Sequence, residues 1–147
     1  MRDFSIIFLI LIFFAGVSLS TFAKDDDKKA KVSESTIASL LMGLNSDNIG
    51  LKSSCAYMLG ELRVASAVVP LMRLLHNDEN DEIRISAALA LYKIGTPISI
   101  QAVKQAIRFD PSIRVSKLAQ KFYNEYTRAD LKKNNRLSTE KDFVHTD

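Results

Sequence analysis

The stretch "EIRISAALALYKIGTP", Glu82 to Pro97, sets Ile83, Ala87, Ala90, Leu91 and Ile94 at i, i+4, i+7, i+8 and i+11. That spacing lines one face of an α-helix. The same five positions recur 32 residues earlier as Leu51, Cys55, Met58, Leu59 and Leu62. They recur 32 residues later as Val115, Ala119, Phe122, Tyr123 and Tyr126. All fifteen are apolar or aromatic, in a chain that is 47% hydrophobic, so chance is a poor explanation.

A second, shorter stripe alternates with the first. Val68, Leu71, Leu74 and Leu75 are matched 32 residues on by Ile100, Val103, Ala106 and Ile107. Ile37, Leu40, Leu41 and Leu44 precede them at a spacing of 31. The chain thus reads A-B three times, each pair a helical hairpin. Thr96-Pro97 supplies an N-cap and a proline at the first helical position, and Asp110-Pro111 is expected to do the same for the third B helix. Asn45-Ser46-Asp47 and Asn77-Asp78 carry turn residues between A and B. No alternating strand pattern of useful length is present. The fold class expected is all-α, an α-α superhelix (solenoid) of about three hairpins. Units run over 35–63, 66–95 and 97–126, because one hairpin cannot bury its apolar face alone and stacked neighbours complete it.

"DEIRISAALALYKIG", Asp81 to Gly95, resembles the second helix of short HEAT repeats of the phycobilisome-lyase-like type. Ile83-Arg84, Ala87-Ala88, Ala90-Leu91 and Gly95 follow that family's pattern, with Tyr92 where a glycine is usual. "VVPLMRLLHND", Val68 to Asp78, is similar to the family's first helix. Leu51-Lys52, Cys55-Ala56 and Met58-Leu59-Gly60 fit in the first unit. In the third, "DPSIRVS" repeats the acidic turn and Ile-Arg at a spacing of 30 rather than 32, so two registers fit that helix. The resemblance spans Ser35 to about Tyr126. It implies the fold and is nearly silent on activity, because the motif encodes packing. Some relatives attach bilins, but no distinctive site here supports that chemistry.

The ends differ from the middle. "MRDFSIIFLILIFFAGVSLSTFA", residues 1–23, has a short basic start, an apolar run over Ile6–Phe14 and small residues at Thr21 and Ala23, the layout of a secretory signal peptide. An uncleaved membrane anchor is the rival reading, since Phe4 to Ala23 is about the length that crosses a bilayer. A charged linker, 24–34, follows, and the mature chain from Lys24 has 124 residues, enough for one domain. The single cysteine, Cys55, excludes an intramolecular disulfide. Export without disulfides fits a bacterial envelope protein, periplasmic or secreted, with no stable membrane insertion after cleavage. The net charge of +3 does not call for nucleic acid. Residues 127–147 form a polar tail that could continue the last helix to about Leu131 and then fray.

No catalytic residues, metal ligands or cofactor are expected. His76 and His145 lack partners at ligand spacing, Cys55 sits in a core stripe, and the glycines form no phosphate-binding loop. Lys52 and Arg84, 32 apart, are expected to reach turn carboxylates from Asp47, Asp78 and Asp110, where an exposed pair contributes only ~0.2–1 kcal/mol. Ile85 and Leu89 lie well around the central B helix from Ile83. They are either inter-repeat core or a binding surface. On the second reading, Tyr57, Ile85 and Leu89 form an apolar centre, with Lys117 and Lys121 as a basic edge, on the concave B-helix face. That surface suits an amphipathic or acidic segment of another protein. The function expected is an exported, non-catalytic protein–protein interaction module. An accessory or lyase-like subunit of an enzyme system is one alternative. A self-assembling structural envelope component is the other.

Overall fold

The computed structural model describes residues 32–144, with side chains to Arg136. The expected signal peptide over 1–23 therefore lies outside the described residues. Helix α1 spans Glu34–Gly43 and α2 spans Ile49–Glu61. After a 3-10 turn at Ala65–Ala67 come α3, Val68–Asn77, and α4, Asp81–Ile94. The last pair is α5, Pro97–Phe109, and α6, Ile113–Val144. Each start has a local cause. The side chains of Ser33, Asn48, Asn80 and Thr96 accept first-turn backbone N–H groups that a helix leaves unpaired. Gly95 ends α4 with φ +70°, a left-handed conformation that costs glycine little.

The six helices pair as α1–α2, α3–α4 and α5–α6, and α2, α4 and α6 stack in succession, as α3 does on α5. This is an all-α solenoid of helical hairpins. Its core is the periodic stripe: Leu59, Leu71, Leu75, Ile83, Leu91, Val103 and Val115 are fully buried. Burying each such side chain stabilises by roughly 1.5–3 kcal/mol. The contact between α2 and α4 is close. A Cβ on Gly60 would stand 2.6 Å from the Ala90 Cα, so glycine is what lets the two backbones meet.

The third repeat keeps the spacing of 32. Val115 and Ala119 are buried, whereas Ile113 is 71% exposed and Arg114 is exposed. The Ile-Arg likeness at Ile113-Arg114 is therefore not the packing register. Two expectations need correction. Asp110-Pro111 does not cap the third B helix, because that helix starts at Ile113 and Asp110 instead ends α5. Its carboxylate is used by Arg84, and it also accepts the Ser112 N–H. The last helix does not stop near Leu131 but continues to Val144, since no glycine or proline interrupts it.

Repeat one departs from repeats two and three in exposure. Leu51 is 52% exposed and Met58 44%, although their counterparts Ile83 and Ala90 are fully buried. Ala90 is buried because the preceding hairpin's Gly60 lies against it. Among the described residues no hairpin precedes α1–α2 to cover Leu51 and Met58.

Candidate protein-binding face

Two arrangements recur along the second helices. The first is a ladder at their N-terminal ends. Lys52 donates to Asp78 at 2.9 Å, and Arg84 donates through Nε to Asp110 Oδ2 at 2.9 Å and through Nη2 to Oδ1 at 3.1 Å. Both rungs join residues 26 apart and tie one repeat to the turn of the next. Arg84 also donates to the Asp78 and Glu79 carbonyls at 2.9 and 3.1 Å, and to Asp81 at 2.7 Å. With side chains only 7% and 3% exposed, Arg84 and Asp110 are a buried pair rather than the surface pair expected.

Asp47 is not part of this ladder. The backbone N–H of Asn80 bonds Asp78, that of Ser112 bonds Asp110, and that of Asn48 bonds Ser46. Ser46, not Asp47, is thus the first-repeat counterpart of the two aspartates. At the far end Ser116 stands where a third basic residue would fall, and its hydroxyl donates to the Ile107 carbonyl.

The electrostatics follow the geometry. Burial pushes the Asp78 carboxyl upward, but the Lys52 ammonium, the Asn80 N–H and the nearby Arg84 charge together hold it below its ordinary value. Asp81 is lowered by the Ser112 hydroxyl, against some desolvation, with help from Arg84. The Asp110 carboxylate raises Arg84 further above its already high value. Every carboxylate and cation here is spent on its neighbours, so the ladder is structural.

The second arrangement is a groove of about 410 Å³ between α2 and α4, lined by Ser53, Ser54, Tyr57, Met58, Ser86 and Leu89. The hydroxyls of Ser53 and Ser86 meet across it at 2.7 Å. Tyr57 is 45% exposed, and Lys93 Nζ stands 5.0 Å from its ring centroid. Lys93 also pairs with Glu61. The Glu61 carboxylate raises the Tyr57 phenol above its ordinary value and is itself lowered by Lys93.

The two central candidates separate here. Ile85 is half-buried and packs against the core, while Leu89 is half-buried and lines the groove. Lys117 and Lys121 are exposed on α6, one turn apart, at the positions that Ile85 and Leu89 hold on α4. Among the described residues neither enters an ion pair, whereas Lys52, Arg84, Lys93 and Arg114 all do. Sequence reasoning missed Glu61, Lys93 and the two serines, although Glu61 and Lys93 stand 32 apart and could have been read as another cross-repeat pair.

Among the described residues no group of histidine, cysteine and carboxylate side chains could hold a metal ion. No helix among them is long and apolar enough to cross a membrane. Cys55 is buried, with its sulfur against Gly43. A family model described as HEAT repeats matches residues 37–121. No curated protein matches the chain.

Proposed function

The chain belongs to the HEAT-repeat family, and we propose that it is a non-catalytic protein-binding module working through the face shared by α2, α4 and α6. HEAT repeats commonly mediate protein–protein interaction. The observation that carries the reading is the apolar groove at Tyr57 and Leu89 beside two lysines with no ion-pair partner among the described residues. A cation whose charge is already matched adds little to recognition, whereas Lys117 and Lys121 are available to an incoming carboxylate. The partner that fits is an amphipathic segment of another protein, with apolar anchors for the groove and acidic residues for the lysines. Ile85 supports the groove from beneath. The apolar run of residues 1–23 makes the module an exported one, periplasmic or secreted, acting as a scaffold in a bacterial envelope.

The test is a cross-linking pull-down from envelope extract, with Leu89→Glu as the comparison. A partner captured by the native chain and lost in the variant, at unchanged helicity by circular dichroism, supports the module. Unfolding of Leu89→Glu would make Leu89 core and remove the groove from the proposal. The mass of the chain recovered from cells tests export, with Lys24 expected at its start.

A further inference from the structure

The two ends of the solenoid are chemically unlike. The last hairpin turns polar residues outward. Gln120 and Asn124 hold the positions that Ala88 and Tyr92 hold on α4; both are exposed, and the Gln120 amide donates to the Asn124 side-chain carbonyl at 2.8 Å. On α4 those positions are covered, since Tyr92 stacks on Phe122 of the next repeat at 5.7 Å. Such an end is closed to further stacking.

The first hairpin is the opposite. Leu51, Ser54 and Met58 make an exposed i, i+3, i+7 stripe on α2. Their counterparts Ile83, Ser86 and Ala90 face the preceding repeat: Ser86 bonds Ser53, and Ala90 meets Gly60. On α1, Thr36 and Ser39 are exposed where the counterparts Ser99 and Ala102 are buried. None of these five residues is charged.

We infer that this face pairs with the same face of a second copy, giving a closed two-fold dimer. Three observations select that occupant. The polar far end rules out head-to-tail addition, so an apolar end finds its complement in another apolar end. An uncharged face meets its own copy without the like-charge repulsion that most surfaces would suffer. The charged side chains of α2 point elsewhere, with Lys52 and Glu61 committed to Asp78 and Lys93 of the next repeat. The chain's own residues 24–31, "KDDDKKAK", are too charged to cover an apolar stripe. Helices of 10 and 13 residues present a face of roughly 350 Å². Stable interfaces bury about 800 Å² per partner, so this dimer dissociates on dilution.

Sedimentation of the chain, expressed from its full sequence and taken as recovered, tests this from micromolar to millimolar concentration. The expected result is a reversible rise from one chain to two and no further. Leu51→Glu and Met58→Glu should each raise the midpoint about tenfold or more. Both sites are about half-exposed, and unchanged circular dichroism confirms the fold. Lys121→Glu, on a different face, should leave the midpoint unchanged. A single chain at every concentration, growth beyond two chains, or a dimer indifferent to both substitutions would each overturn the proposal.

Discussion

Arg84 and Asp110 meet as a two-pronged pair, Nε to Oδ2 at 2.9 Å and Nη2 to Oδ1 at 3.1 Å, with both side chains almost wholly out of water. The pair joins the middle of the stack to its last turn. Removing one partner leaves the other's charge buried and unmatched, which is the costly case for such pairs. Arg84→Ala should therefore destabilise by about 3–5 kcal/mol in urea unfolding. The double change Arg84→Met with Asp110→Leu should recover most of that loss, because two apolar side chains carry no unmatched charge. A double variant as unstable as Arg84→Ala would mean that the other Arg84 contacts, to the Asp78 and Glu79 carbonyls, matter more.

Equal chemistry at equivalent positions should have unequal effects. Ile83→Ala removes a side chain with no exposure and should cost about 2–5 kcal/mol. Leu51→Ala, at the same position one repeat earlier but half-exposed, should cost well under that. Thermal melts of the two variants under one set of conditions check the contrast.

At Gly60 the prediction concerns volume. The Ala90 Cα backbone atom, not a flexible side-chain end, would face the new methyl group at 2.6 Å. Gly60→Ala should force α2 and α4 apart and lose about 1–3 kcal/mol, even though alanine favours a helix. Chemical denaturation measures it, and a stabilised variant would show that the helices separate freely.

Acid should loosen the turn ladder. Asp78 and Asp81 both have folded pKa values held below their ordinary ones. Their stabilisation is complete above the ordinary carboxylate pKa. It is lost as pH falls through that value towards the lower folded one. Unfolding midpoints should thus be flat near neutrality and drop below about pH 4. Asp78→Asn should shrink the slope of that drop in a pH series.

On the binding face, Lys117→Glu and Lys121→Glu should each weaken capture of an acidic partner about tenfold or more, and added salt should weaken the native chain in the same direction. Stability should move little, since both residues are exposed and neither joins an ion pair among the described residues. Affinity at two salt concentrations, with melting points alongside, separates the two effects.

The stack itself was legible because burial in a repeat protein is periodic. Ile83, Ala87, Ala90 and Leu91 announce their face by spacing alone, and the structure buries all four. Periodicity has no term for position in the series, so Leu51 and Met58 read as core although their helix has no neighbour on that side. Partner choice was also partly hidden. Ser46 and Asp47 are adjacent and both polar, and only the turn geometry shows that Ser46 takes the aspartate's place. For Ile85 and Leu89, a helical wheel placed both off the main stripe. How deeply each sinks depends on the angle between α2 and α4, which no single helix encodes.

The buried rungs all lie at one edge of the stack, where the second helices begin. The opposite edge is joined by Glu61 and Lys93, both substantially open to water. A stack fastened this way behaves like a book with a spine: it is stiff where bound and opens as a fan along the free margin. Tyr57 sits one helical turn from Glu61 and therefore near that margin. Bending the solenoid would widen the groove at Tyr57 first and leave Arg84 and Asp110 undisturbed. The mouth of the groove can then adjust to what enters it while the turn edge keeps the repeats in register.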